Sequence, residues 1–276
     1  MLSIVLAAAS ALVWGAADFC GGKASQRGSA LAVTVVSQLL GFPVFVACLL
    51  LVPGAPQPSD LAWGAAAGVA GLAGIVLLYR GLSTGAMSVV APITAVTAAL
   101  VPMAVGLVME RPPGHLALAG AVCAVVAIAL VSVGPTGTGG VTARAVGLAL
   151  AAGALFGVFF ALLAQTHEDS GMWPLAGVRL ASLPLGLALM AIRRVPVRVP
   201  RSTLWWVAAA GAGDIGANAF YLVAAREGLL SLVAPIASLY PVSTVLLAVA
   251  VNRERIRPVQ LAGLGLAATA LVLTAV

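Results

Sequence analysis

The sequence is poor in charge. Only 8% of its 276 residues are Asp, Glu, Lys or Arg, whereas soluble domains carry about 25%. A soluble chain with so few charged residues could not cover its own surface, and 62% of the residues here are hydrophobic. The composition therefore excludes an ordinary soluble domain and indicates a chain that lies in lipid.

Residues that carry chemistry are also scarce. The two histidines, His115 and His167, fall in predicted loops, and the three cysteines, Cys20, Cys48 and Cys123, lie in apolar surroundings as packed hydrophobes do. The sequence has no Gly-x-Ser-x-Gly elbow, no phosphate-binding loop and no pair of residues at metal-ligand spacing. We therefore expect no enzyme activity, no catalytic residue, no cofactor and no metal site.

The net charge of +6 is a possible sign of nucleic-acid binding. The basic residues, however, stand in short clusters between apolar runs, which is the pattern of loops that face lipid headgroups. We expect the lipid bilayer as a partner and no nucleic acid.

Ten apolar runs fill the chain, and a membrane span needs about 20 apolar residues. Clusters of Pro and Gly, such as 53–56 and 134–137, separate the runs. The runs are continuous, whereas transmembrane strands alternate apolar and polar residues. The fold prediction is an all-α membrane protein of ten transmembrane helices. Segments 1 to 10 cover 2–20, 30–52, 61–81, 86–109, 115–133, 144–165, 172–192, 203–225, 229–251 and 259–275.

The two halves of the chain repeat each other. A shift of 143 residues places Val90-Ala91-Pro92-Ile93 on Val233-Ala234-Pro235-Ile236 and Gly85 on Gly228. The repeats are predicted at 1–138 and 139–276, with five helices in each. Because five is odd, the second half is inverted relative to the first, an arrangement typical of transporters with a site near the midplane.

The basic residues predict the orientation. Loops that follow odd-numbered segments ("odd loops") hold eleven Lys and Arg, and loops that follow even-numbered segments ("even loops") hold two. The positive-inside rule places the odd loops in the cytoplasm and both termini outside. The eleven residues are Lys23, Arg27, Arg80, Arg144, Arg193, Arg194, Arg198, Arg201, Arg253, Arg255 and Arg257.

A polar stripe crosses segment 8. Asp214, Asn218 and Tyr221 follow one another at spacings of four and three, so they share one helical face, and ionisable residues within the bilayer are functional candidates by default. The related face of segment 3 is apolar, so packing alone does not require the stripe. Lining of a substrate cavity and a structural polar network both remain open.

Arg179 in segment 7 is the second ionisable candidate. At 1.5 Å per residue it lies about 10 Å from the start of its segment, and Asp214 lies about 15 Å from that same side. A guanidinium can span the difference, which makes an Arg179–Asp214 pair feasible. The pair could be structural, could contact substrate, or could do both.

Further candidates are aromatic or polar. Trp14 in segment 1 lies deep in the membrane, and Phe156 holds the related place in the second half; cavity lining and packing are both open for them. Gln38 and Tyr240 are weaker candidates for substrate contact. Asp18 lies one turn beyond Trp14 and close to Lys23, so its expected place is the membrane interface, with a site role as the alternative.

Two symmetry-related prolines are candidates for gating. Pro92 and Pro235 lie inside segments 4 and 9, where each removes a backbone hydrogen bond and bends its helix. Such bends suit a rocking motion, although prolines are common in membrane helices. The glycines at 64–74 and 211–216 are typical of close helix crossings.

These features together resemble the drug/metabolite transporter superfamily, specifically EamA-type carriers. The resemblance rests on the two five-helix halves, on Trp14-Gly15, on Ala91-Pro92 and Ala234-Pro235, and on Glu110 and Glu254 at helix ends. It implies helices around a central cavity, alternating access, and transport of amino acids, metabolites or drugs. Members usually place both termini in the cytoplasm, which disagrees with the charge bias.

The leading hypothesis is a multi-pass secondary transporter in the plasma or inner membrane, working as a monomer or a homodimer. Its substrate is a small polar or amphiphilic molecule, and protons are a candidate coupling ion. A translocator of lipids or polyprenyl-linked carriers is one alternative. A membrane sensor that transports nothing is another.

Overall fold

The computed structural model describes the backbone of residues 1–25, 27–82, 87–110, 113–131, 143–252 and 257–275. Within these ranges, the side chains of 79–82, 87–92, 244–245, 248–249, 252 and 275 are not described. The described chain contains helices and no strand, so the all-helical prediction is confirmed. The helices are α1 Leu2–Ser25, α2 Ala30–Leu40, α3 Phe42–Leu51, α4 Pro58–Leu82, α5 Met87–Met109, α6 His115–Val131, α7 Ala143–Ala164, α8 Trp173–Arg193, α9 Leu204–Glu227, α10 Leu230–Ala237, α11 Tyr240–Asn252 and α12 Pro258–Ala275.

Six apolar helical stretches are long enough to cross a membrane, and four shorter apolar ones accompany them in the described chain. The bounds follow the ten predicted segments closely, with one clear difference. Segment 1 was predicted to end at residue 20, but α1 continues through Gly21 and Gly22 to Ser25. Six long spans and four shorter helices support a multi-pass protein, and the count of ten spans stays a prediction.

Two predicted segments are broken in the middle. Segment 2 divides into α2 and α3 at Gly41, and Pro43 in the first turn of α3 has no N–H to continue the hydrogen-bond ladder. Segment 9 divides into α10 and α11 at Ser238–Leu239, and Pro241 in the first turn of α11 has the same effect. Pro235 itself lies inside the short α10, three residues before the break.

The contacts between helices are symmetric with respect to the two halves. The first helix of each half packs on the central helix of the other: α1 on α9, and α7 on α4. The last helices of the halves, α6 and α12, pack on each other. This reciprocal pattern is what two related halves produce.

Glycines allow the closest crossings. A Cβ added at Gly64 would lie 2.0 Å from the carbonyl oxygen of Pro174, and one at Gly68 would lie 2.4 Å from that of Val178, so α4 and α8 meet backbone to backbone. Gly211 of α9 meets Ser37 of α2 in the same way. The predicted role of these glycines in close helix crossing is confirmed.

Candidate functional site

An ion pair joins α8 and α9 inside the helical bundle. The Arg179 guanidinium donates to the Asp214 carboxylate, and the two side chains are 14% and 41% exposed. Depth along two antiparallel helices was the only basis for predicting this pair, and the structure brings the two residues together. The Asp214 carboxylate therefore remains accessible.

Asn218 supports Asp214 from one helical turn away. Its Nδ2 donates to the Asp214 backbone carbonyl at 2.6 Å and to Asp214 Oδ1 at 3.1 Å. Asn218 is only 6% exposed, and its Oδ1 has no hydrogen-bond partner among the described residues. The polar stripe of α9 therefore contains a buried acceptor that is unsatisfied.

Three aromatic rings from three helices form a buried cluster, which we call the aromatic cluster: Trp14, Phe160 and Tyr221. Ring centroids lie 5.2 Å apart for Trp14–Phe160, 5.8 Å for Trp14–Tyr221 and 4.9 Å for Phe160–Tyr221. The Tyr221 hydroxyl donates to the Phe160 carbonyl at 3.0 Å and is fully buried. Trp14 and Tyr221 thus pack against each other instead of facing an open space.

Phe160 was missed by the sequence analysis, which selected Phe156. The two residues lie one helical turn apart on the same face of α7, and Phe156 instead packs near Gly74 of α4. The only available signal was the Phe159-Phe160 pair itself, because the repeat offset points to Phe156.

The remaining predicted residues lie in three other helices, α2, α11 and α5. Ser182, one turn from Arg179 on α8, donates to Gln38 Oε1 on α2 at 3.0 Å, and both residues are buried. Tyr240 begins α11 and lies against α1, where its carbonyl oxygen would be 2.2 Å from a Cβ at Gly15. Pro92 lies within α5, outside the described side chains.

Asp18 differs most from expectation. It is exposed, lies 7 residues before the end of α1, and interacts electrostatically with Asp214 and with Tyr240. Its expected place at the membrane interface stays a prediction, and the interaction with Asp214 favours the alternative of a site role.

The even loops are held together by hydrogen bonds, which we call the even-loop network. Arg226 donates to the Gly171 carbonyl at 2.8 Å, to Thr166 Oγ1 at 3.1 Å and to Ser170 Oγ at 2.9 Å. The Oδ1 atom of buried Asp60 lies 3.0 Å from His167 Nδ1. These contacts tie α9 and α4 to the loop between α7 and α8.

Glu110 extends the same network to α10. Its carboxylate accepts from the backbone N–H of Leu230 at 2.9 Å and of Ser231 at 3.4 Å. A carboxylate at a helix N-terminus satisfies free amides there and interacts favourably with the helix dipole. The end of segment 4 is thereby joined to the start of segment 9, on the side of the even loops.

Among the described residues, no group of three or more His, Cys, Asp or Glu could hold a metal ion. The arrangement instead offers an accessible carboxylate, its guanidinium partner, a second carboxyl and an unsatisfied amide oxygen. Groups of this kind can form hydrogen bonds and charge-assisted contacts with polar or charged organic groups.

The comparisons with known proteins agree with this architecture. The sequence model of the EamA-like transporter family matches residues 1–133 and again residues 143–276. A solved structure described as "Crystal structure of protein" is 18% identical, covers 98% of this chain and 95% of its own, and has a TM-score of 0.80, which shows a shared fold. No curated protein matches the chain. Because the family model covers both halves, the chain is a multi-pass membrane protein that belongs to the EamA-like transporter family.

Proposed function

We propose that the chain is a secondary transporter that moves a small polar or amphiphilic metabolite across the membrane by alternating access. In this proposal, ten spans form two inverted halves, 1–138 and 139–276, around a central cavity. The Arg179–Asp214 pair is the observation that carries it, because the pair joins two spans within the bundle and still leaves Asp214 41% exposed.

The energetic argument concerns the exposure of Asp214. A charge within the bilayer is costly unless it is paired or reaches water, and a purely structural ion pair offsets this cost through close geometry and further hydrogen bonds. Asp214 is paired but accessible, so a solute can reach its carboxylate. Competition between solute and Arg179 for Asp214 would then link binding to movement of α8 against α9.

The surroundings of the pair support access from one side only. Tyr221 lies two turns from Asp214 towards the even loops, and Trp14 lies one turn from Asp18 in the same direction. The aromatic cluster therefore lies between the ion pair and the even loops, and the even-loop network holds those loops together. We propose that they form the closed side of the transporter in this conformation.

Proteoliposome transport tests this proposal. Proteoliposomes that contain the purified full-length chain are offered amino acids, amines and sugars, and they are expected to accumulate at least one of these solute classes. Asp214→Asn should reduce that transport by about tenfold or more, since it removes a charge-assisted contact worth about 1.5–3 kcal/mol.

Glu227→Gln is the matched control, because this exposed carboxylate at the end of α9 lies outside the proposed site. Failure of the wild-type chain to move any solute, or full activity of Asp214→Asn, would count against the proposed function. If Asp214→Asn kept an unchanged pH dependence of transport, Asp214 would be excluded as the proton-coupling residue.

We also propose that the chain lies in the plasma or inner membrane with its odd loops in the cytoplasm, as the charge bias predicts. In a chain without its three native cysteines, Pro196→Cys should resist an impermeant maleimide added to intact cells. Pro56→Cys, exposed on the even-loop side, should react. The opposite labelling pattern would reverse the orientation and agree with the habit of the family.

A translocator of lipids or polyprenyl-linked carriers remains the second candidate, because one surface feature favours it. An apolar groove of ≈ 310 Å³ runs between α1, α10–α11 and α12, lined by residues such as Leu12, Leu239 and Leu264. Lipid scrambling by proteoliposomes without solute transport would favour this candidate. The absence of both lipid scrambling and solute transport would favour the sensor.

A further inference from the structure

Asp18 is a carboxylate that the packing of α1 leaves available. It is exposed, and it forms no ion pair or hydrogen bond with any residue in the described part of the chain. It lies about 10 Å from the end of α1 at 1.5 Å per residue. An exposed carboxylate at that depth faces either lipid or an interior space.

The contacts of α1 show which of the two it faces. Ser10, Ala17 and Gly21 point to α9: Ser10 donates to the Ala217 carbonyl at 2.8 Å, and Ala17 and Gly21 approach Gly213 and Ala210. Ala11 and Gly15 point to α11, since Ser243 donates to the Ala11 carbonyl at 3.2 Å and Gly15 lies against Tyr240.

Successive residues are rotated by about 100° around the axis of α1. Asp18 therefore lies about 80° from the mean direction of the residues that face α9 and about 40° from the mean direction of those that face α11. It therefore projects into the angle between these two helices. The outer side of α1, which carries Leu12, lies beyond the residues that face α11.

On α9, Asp214 projects towards the same interior space. Its neighbour Gly213 faces α1, and Gly211 faces α2, so Asp214 lies between those two contacts. Asp18 and Asp214 interact electrostatically. Two carboxyls therefore lie near each other here, and the one guanidinium that is paired with either of them, that of Arg179, binds Asp214.

The second observation is the buried Oδ1 of Asn218. Both donor contacts of this amide go to Asp214, while its acceptor has no partner among the described residues. A buried acceptor without a donor is destabilising, because it has lost its hydrogen bonds to water and gained none in return. A ligand that carries N–H groups would satisfy it.

We propose that, within the transport function proposed above, this site recognises a solute by a protonated primary or secondary amine. Asp18 supplies the carboxylate that faces the ammonium group, and Asn218 Oδ1 accepts one of its N–H bonds. Asp214 is the second carboxylate, and the ammonium group competes with Arg179 for it. The preference for an amine arises from the unpaired Asp18 together with the unsatisfied amide oxygen.

Binding to the purified full-length chain tests the proposal with matched pairs of probes. The pairs are butylamine and 1-butanol, 2-phenylethylamine and 2-phenylethanol, and 1,4-diaminobutane and 1,4-butanediol. In calorimetric titration, at least one amine should bind about 10- to 100-fold more tightly than its alcohol, the range of a charge-assisted hydrogen bond. The N,N,N-trimethyl derivative of that amine should bind more weakly, because it has no N–H for Asn218.

Variants assign the preference to Asp18. Asp18→Asn should remove the preference of the amine over its alcohol, Asp18→Glu should retain part of it, and Glu227→Gln should leave it unchanged. Asn218→Leu should make the amine and its trimethyl derivative bind alike. Size-exclusion profiles show whether each variant is folded, and Asp18→Glu keeps the test decisive if Asp18→Asn does not fold.

The outcomes separate this inference from the proposed function. A chain that transports neutral or acidic solutes and binds no amine more tightly than its alcohol overturns the inference and leaves the transport function standing. Amine binding that depends on Asp18 in a chain that moves no solute supports the inference and overturns the transport function. An amine preference that survives Asp18→Asn overturns the role of Asp18.

Discussion

Replacing Arg179 with Leu is expected to lower the free energy of unfolding by about 2–4 kcal/mol, because it leaves Asp214 charged and unpaired between two spans. Replacing Arg179 and Asp214 together with Leu is expected to restore most of that loss. Removing one partner of a buried ion pair is costly, whereas replacing both with apolar groups is often neutral. The 41% exposure of Asp214 keeps the expected cost below that of a fully buried pair.

A double-mutant cycle in mixed detergent micelles measures this coupling. The expected coupling free energy between the two positions is about 1–3 kcal/mol, in the range found for residues in direct contact. The doubly substituted chain should be stable but inactive in proteoliposomes, which separates the role of the pair in stability from its role in transport. Additive effects of the two single substitutions would show that the pair is not coupled.

The ion pair could be predicted from the sequence for a simple physical reason. The rise of an α-helix is constant, so the depth of Arg179 and of Asp214 follows from their distance in sequence to the ends of their helices. Two antiparallel neighbours then place both residues at compatible depths. The same regularity explains why the helix bounds agree so closely.

The rotation of helices was harder to predict than their depth. Phe160, not Phe156, reaches Trp14, because the direction in which α7 presents its aromatic residues is set by Gly153 and Gly157, which pack against Thr94 and Val101 of α5. The repeat offset describes the backbone of each half. It does not describe how each helix turns against partners that differ between halves.

Asp18 shows how a small error in a helix end changes the expected role of a residue. With segment 1 ending at residue 20, Asp18 lay two residues from the boundary and beside Lys23, as interfacial residues do. Because α1 continues to Ser25, Asp18 lies within the helix. Gly21 and Gly22 are residues that often end a helix, yet α1 continues through them.

Gly211→Ala is expected to destabilise the chain by at least about 3 kcal/mol, and Gly216→Ala is expected to stabilise it by up to about 1 kcal/mol. A Cβ at Gly211 would lie 1.9 Å from the carbonyl oxygen of Ser37, in the backbone of α2, which cannot rotate away. Overpacking of this kind typically costs about 1–3 kcal/mol, and more where backbone must move.

Gly216 is the matched control on the same helix, because a Cβ there meets nothing within 4 Å. Alanine is favoured over glycine in a helix interior by about 1 kcal/mol, so the two substitutions should change stability in opposite directions. Gly68→Ala tests the repeat, since Gly68 lies 143 residues before Gly211 and a Cβ there would lie 2.4 Å from the Val178 carbonyl oxygen of α8. Unfolding in mixed micelles should show losses for Gly68→Ala and Gly211→Ala. Equal stability of Gly211→Ala and Gly216→Ala would contradict the close crossing of α9 with α2.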